Sequence, residues 1–303
     1  PAIAAAAERR RRRRRSARCD LSQVPDLMTA QLQCGRFRLP LDRPLIMGVV
    51  NVTPDSFSDG GRFLEPAAAI AQARALMEEG ADLIDLGAES SRPGTAAEVS
   101  AEEELRRLLP VLRGLRDLPL SVDTAKPEVM CAALAEGASM INDITALRAP
   151  GAVDAVAAAD AAVCLMHMQG TPGTMQRQPS YDDVVAEVKA FLLKRIACVC
   201  AAGIALERVV VDPGFGFGKT LEHNLELLRQ LRQFESLGVP LLAGWSRKSS
   251  LGQITGRPAG ERLAASVAAA LIAAQNGASI LRVHDVAATR DALAVLAAVG
   301  KIT

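Results

Sequence analysis

A (β/α)8 barrel, of the TIM-barrel class, is the fold this sequence predicts, and three observations predict it. Apolar β-like runs alternate with helical segments at a spacing of very roughly 30 residues. Of the 303 residues 50% are hydrophobic but only 3% aromatic, so the core is aliphatic, which suits parallel strands wrapped by Ala-rich helices better than a β-sandwich. Polar side chains gather where the strands end, the place where such barrels carry their sites. The fold alternative, a doubly wound open sheet, would normally show a glycine-rich phosphate loop after its first strand. None is present: GFGFG at 214–218 follows the sixth strand and lacks the spacing.

Taken in order, the chain opens with seven consecutive arginines, Arg9 to Arg15, which repel one another and cannot bury apolar surface. Residues 1–32 therefore read as a disordered Arg-rich extension, and 33–303 as one barrel domain. A short extended lead-in covers 35–41. Strands are expected near 46–51, 81–86, 118–123, 139–142, 161–166, 208–212, 240–244 and 279–283. Ile46 to Val50 is apolar enough to be covered on both faces. Helices are expected at about 66–79, 100–116, 127–137, 150–159, 180–202, 221–236, 259–276 and 286–298. The first has Pro66 in its first turn and Gly80 just past its end, the usual asymmetry of helix boundaries.

Composition excludes several classes. The net charge of +1 hides the arginine block, without which the chain is net acidic, so the folded part is no general polyanion binder. For the block itself, contact with nucleic acid or an anionic surface stands beside an extension with no role. The six cysteines form no CxxC pair and lie mostly in apolar segments, so neither a zinc site nor a disulfide framework is suggested and a reducing cytoplasm fits. No run approaches the roughly 18 apolar residues of a membrane span. No apolar stretch follows the arginines as a secretory signal would require.

The eight strand ends are all polar: Asn51; Asp85 in DLGAESSRPG; Asp123 in SVDT; Asn142 and Asp143 in SMIND; His167 in LMHMQG; Asp212 in VVVDPGFGFGKT; Ser246 to Ser250 in AGWSRKSS; and Arg282, His284 and Asp285 in ILRVHD. One carboxylate after a strand often only caps the next helix. Eight polar ends together read as a site. Asp123, Asn142 and Asp212 are short groups suited to a compact heterocycle with several N–H donors, such as a guanine-like ring. Lys248, Arg282 and His284 come from the last two strands, where barrels often hold phosphate, and suit a phosphate or pyrophosphate arm. The loop after the first strand, Thr53 to Asp59, is dense in hydroxyls and acids. Ser90-Ser91-Arg92-Pro93-Gly94 has the hydroxyls, cation and turn of a closing loop. Phe217 and Pro93 could wall a slot for a flat second substrate, although buried packing of Phe215 and Phe217 is an equal reading. His167 is a base or a hydrogen-bonded wall residue, His223 lies in a helix first turn at the surface, and Glu102 to Glu104 read as a solvated helix start.

In this order the segments MGVVNVTPDSFSDGG, DLGAESSRPG, SVDTAKPEV, LMHMQGTPGTMQ, DPGFGFGKT, SRKSS and RVHDV resemble the bacterial dihydropteroate synthases, over essentially all of residues 33–301. The resemblance implies a barrel, usually a homodimer, that joins p-aminobenzoate to 6-hydroxymethyl-7,8-dihydropterin diphosphate with release of diphosphate, a step of folate synthesis and the target of sulfonamides. It implies that Asn51 helps place Mg²⁺ on the diphosphate. Asp123, Asn142, Asp212 and Lys248 would hold the pterin, Arg282 would stack on it, and Arg282 with His284 would grip diphosphate. Ser91, Arg92, Pro93, Phe217 and Ser249 would form the p-aminobenzoate side, Ser91 also bordering the pterin diphosphate; Asp123, Lys248, Arg282 and His284 would carry the chemistry. Ser91 stands where threonine is usual and Ala88 where glycine is frequent; the lost methyl changes loop packing by under about 1 kcal/mol. Rival readings are a pterin-dependent corrinoid methyltransferase, a pterin-binding subunit without activity, and a nucleic-acid binder acting through the arginine block.

Overall fold

The computed structural model describes residues 31–52, 61–89 and 99–300. An antiparallel hairpin, β1 (Gln31–Cys34) and β2 (Phe37–Pro40), precedes eight parallel strands: β3 (Leu45–Asn51), β4 (Leu83–Gly87), β5 (Leu120–Asp123), β6 (Met140–Asp143), β7 (Ala162–Met166), β8 (Val209–Asp212), β9 (Leu242–Ala243) and β10 (Ile280–Val283). Their spatial order is β8-β7-β6-β5-β4-β3-β10-β9, and a parallel bridge between Val211 and Leu241 brings the two ends together. The TIM-barrel expectation is met. Helices intervene: α1 (Gly61–Glu78), α2 (Ala101–Gly114), α3 (Pro127–Ala135), α4 (Ala152–Ala157), α5 (Val184–Ala201), α6 (Leu221–Arg229), α7 (Ser249–Thr255), α8 (Leu263–Gln275) and α9 (Val286–Ala298).

Alternation along each strand sorts side chains into two cores. Leu45, Met47, Leu83, Met140, Ala162, Cys164, Val210, Leu242 and Ile280 fill the barrel interior, with Leu32 and Cys34 of the hairpin packed into the same cluster. Ile46, Val50, Ile84, Leu86, Val122 and Ile141 point outward against the helices. Extending the inward series toward the C-terminal ends reaches Asn51, Gly87, Asp123, Asn142, Asp212 and Arg282, so one parity rule that fills the interior also delivers the polar residues to its mouth.

Several boundaries differ from expectation. The hairpin starts at Gln31, two residues inside the segment read as the extension, and forms two paired strands where only an extended lead-in was expected. The first helix begins at Gly61, so Pro66 sits in its second turn rather than its first. Gly80 ends it as anticipated: at φ +103° its N–H bonds Met77 and that of Ala81 bonds Leu76. The helix expected at 221–236 stops at Arg229 and continues as a 3-10 turn, Leu231–Leu237. The short helix α7 was not anticipated.

Candidate active site

The mouth of the barrel is organised around a guanidinium. Arg282 rises from β10 and donates from Nε to Asp85 Oδ2 at 2.6 Å and from Nη2 to Asp123 Oδ2 at 3.1 Å. Asp85 Oδ2 also accepts from Asn142 Nδ2 at 3.2 Å. Asp85 is fully buried, and its Oδ1 has no hydrogen-bond partner among the described residues. The register sets Asp85 beside Ser121 and Gly87 beside Asp123, so Asp85 lies one inward layer beneath Asp123. Burial pushes the Asp123 carboxyl up to about 7; Arg282 opposes that shift and Asp85 adds to it. Arg282 is held charged: burial disfavours the cation, but Asp85 and Asp123 outweigh it and its pKa rises.

On the opposite strands Asp212 is buried and accepts the Gly214 N–H at 2.7 Å; burial raises its pKa, with Lys248 the main opposing charge. Lys248 reaches back from the loop after β9, donates to the Phe215 carbonyl and stands 4.5 Å over the Phe217 ring. Burial lowers its ammonium to about 8, against the pull of Asp212 and Asp123. His284 is oriented by Ser246, whose Oγ accepts the His284 backbone N–H at 3.2 Å and lies 3.0 Å from Nδ1. Around Lys248 the backbone is braced: Arg247, at φ +60°, pairs with Asp285 at 2.5 Å, and Arg262 donates to the carbonyls of Arg247 and Lys248. Asn51 ends β3 in register with Gly87, whose missing side chain leaves space between Asn51 and Asp123.

Known proteins match this chain at high identity. A pterin-binding enzyme family model matches residues 47–284. The dihydropteroate synthase of Escherichia coli (strain K12) is 51% identical over 263 residues, 86% of this chain and 93% of its own length. The chain belongs to the dihydropteroate synthase family. Among solved structures, the Xanthomonas albilineans dihydropteroate synthase with 4-aminobenzoic acid superposes with a TM-score of 0.85 at 57% identity, covering 91% of this chain and all of that one. The same enzyme with 7,8-dihydropteroate gives 0.82 at 55%, covering 90% and 100%. A Yersinia pestis dihydropteroate synthase in complex with a sulfonamide gives 0.84 at 47%, covering 89% and 98%.

Within this family frame, the structure brings Asp123, Asn142, Asp212, Lys248, Arg282 and Phe217 to one mouth, with Asn51 and His284 on its rim. Ser249 is exposed at the start of α7, next to Lys248. Ser91, Arg92 and Pro93, with residues 53–59, lie outside the described residues. Phe215 is core, 5.1 Å from the Trp245 ring centroid, whereas Phe217 is half-buried and packs on Met166, Met168 and Met175. His167 is a wall residue: its Nδ1 lies 3.0 Å from Lys219 Nζ, and burial, with the Lys219 charge, lowers its pKa to about 3. His223 caps its own helix through Thr220. Glu104 corrects the solvated reading of its run: it is fully buried and pairs with Lys126 at 2.9 Å.

Three contributors had no role assigned from the sequence: Asp85, Ser246 and Lys219. A signal existed for the first, because an acid inside LIDLG, a strand covered on both faces, needs a partner inside the barrel.

Proposed function

We propose that this chain condenses p-aminobenzoate with 6-hydroxymethyl-7,8-dihydropterin diphosphate, yielding 7,8-dihydropteroate and diphosphate. The observation that carries the residue assignment is that acceptors and cations share one mouth: Asp123, Asn142 and Asp212 for the N–H-rich pterin edge, and Lys248, Arg282 and His284 for the ring face and diphosphate. An arylamine is a weak nucleophile, so assistance to the leaving group matters most. The C–O bond to diphosphate breaks, Arg282 and His284 take up the charge, Asp123 stabilises positive charge on the pterin, and the amine nitrogen then attacks the CH₂ and loses a proton. Preorganised groups of this kind contribute about 3 to 4 kcal/mol each. Phe217 and Ser249, with Ser91, Arg92 and Pro93, form the p-aminobenzoate side.

A divalent metal fits as a guest of the substrate. Among the described residues no cluster of three or more His, Cys, Asp or Glu side chains is arranged to hold one, and Asn51 offers a single neutral amide oxygen. That suits Mg²⁺, which keeps several waters and takes phosphate oxygens as ligands. When bound it supplies charge neutralisation on the diphosphate. Homodimerisation is part of the same reading, supported by exposed Leu263 and Ile272 on α8 and Val295 and Val299 on or just past the neighbouring α9. A cytoplasmic setting agrees with the unpaired thiols of Cys34, Cys131, Cys164 and Cys198, and among the described residues no helix is long and apolar enough to cross a membrane.

The test is dihydropteroate formation from the two substrates with and without Mg²⁺, together with diphosphate release when p-aminobenzoate is omitted. Product formation supports the reading, and slow amine-independent release supports the bond-breaking order. A purified, folded chain that makes no dihydropteroate removes it.

A further inference from the structure

One carboxylate beneath the mouth touches two of the proposed substrate-binding side chains and stands clear of the rim itself. Asp85 Oδ2 takes Arg282 Nε and Asn142 Nδ2 together, and Arg282 in turn holds Asp123. We propose that Asp85 is a positioning residue of the pterin site, acting as the standing counter-ion of Arg282 and setting the direction of the Asn142 amide. The inference rests on the reading of the site given above.

Two consequences follow from the geometry. First, Asn142 turns its NH₂ down and donates one N–H to a carboxylate, since an amide oxygen facing Asp85 would be repelled, and this orientation turns its Oδ1 toward the mouth. Asp123, Asn142 Oδ1 and Asp212 then present acceptors only, and the ring they select is one whose edge carries N–H donors. Second, the Arg282 charge is balanced by a group out of a ligand's reach. Asp123 can leave Nη2 for the pterin without stranding a buried cation, which a lone Arg282–Asp123 pair would forbid.

Groups facing this acid pair come from several elements. Arg282 stands on β10, Asn142 and Asp143 on β6, Ser121 on β5 and Glu104 on α2. Beyond its own burial, Asp123 is acted on chiefly by Arg282, which lowers its pKa, and Asp85, which raises it, with smaller additions from Asp143, bonded by the N–H groups of Thr145 and Leu147, and from Glu104, paired with Lys126; Lys248 and Asp212 face the same group of charges.

The experiment compares the wild type with Asp85→Asn, which keeps the shape and removes the charge, in steady-state kinetics across pH and in thermal melts. The expected result is a folded variant whose kcat/KM for the pterin diphosphate falls at least thirtyfold while KM for p-aminobenzoate stays within about twofold, and whose acid limb moves to lower pH as Arg282 turns wholly to Asp123. A purely structural Asp85 would shift the melt and leave that limb in place. If Asp85→Asn does not fold, Asp85→Ser, which leaves room for a bridging water, carries the same comparison. An active wild type whose folded variant keeps kcat/KM within threefold at every pH overturns the role of Asp85 alone; a wild type that makes no dihydropteroate overturns the reading of the site with it.

Discussion

At the residue scale the most exacting demand falls on Lys248, whose ammonium meets the Phe215 carbonyl, the face of Phe217 and the field of Asp212 at once. Lys248→Ala should lower kcat/KM for the pterin substrate by at least about 10²-fold, the scale of losing one preorganised charge, with little change in the thermal melt. A folded alanine variant with near-normal turnover would take Lys248 off the site. The titrations of Asp123 and Lys248 set the pH dependence. The proposed mechanism uses Asp123 ionised and Lys248 protonated, so kcat/KM should rise as pH passes about 7 and fall again above about 8, a narrow bell whose two limbs belong to the coupled site. A flat profile from pH 6 to 9, measured at constant ionic strength, would contradict this.

At the scale of elements the loop after β8 is the part most dependent on backbone and buried charge. Gly214, Gly216 and Gly218 all have positive φ, and a Cβ at Gly214 would stand 1.9 Å from the His167 carbonyl oxygen, so loop and neighbouring strand end lie flush. Lys219 pins them: Nζ donates to the carbonyls of Gly214 and Phe217, each at 3.0 Å, and meets His167 Nδ1 at the same distance. Burial lowers this lysine to about 7, Asp212 opposing. The unfolded chain keeps that proton to about the ordinary 10.5 while the folded chain releases it near 7, so the unfolded state binds more protons above 7 and stability rises with pH there. Lys248 acts in the same direction from about 8. Above 9 the buried thiols of Cys34, raised to about 12, and Cys164, raised likewise by burial, oppose this rise and level it, because only the unfolded chain then loses those protons. Urea midpoints should therefore climb between about pH 7 and 9, and Lys219→Met should flatten the climb. An equal slope in that variant would show that Lys219 does not titrate there.

At the scale of the whole molecule, function sits at one end of the barrel and closure at the other. The hairpin places Leu32 and Cys34, both without exposed surface, in one cluster with the inward residues Leu45, Met47, Leu83 and Met140. Leu32→Ala should cost about 2–4 kcal/mol in unfolding free energy, the usual range for emptying a packed leucine site. Both KM values should stay unchanged, since the mouth is at the other ends of the strands. A large KM change with unaltered stability would mean that the two ends are coupled.

The local signals alone determined the eight βα units, the family, and most of the mouth. Strand periodicity and the polar residue ending each strand are properties of neighbouring positions, legible without a fold. Tertiary structure decided what depends on residues far apart in the chain meeting inside the barrel. Asn142 and Asp143 are adjacent and equally polar, yet pleating sends one to the mouth and the other to cap its own loop. Glu104 looked like a solvated helix start until Lys126, from the next βα unit, came to pair with it. Asp85 acquired its meaning from Arg282, 197 residues further along. Burial explains the difference: a charge inside the barrel must find its partner in space, and only the closed sheet determines who stands opposite.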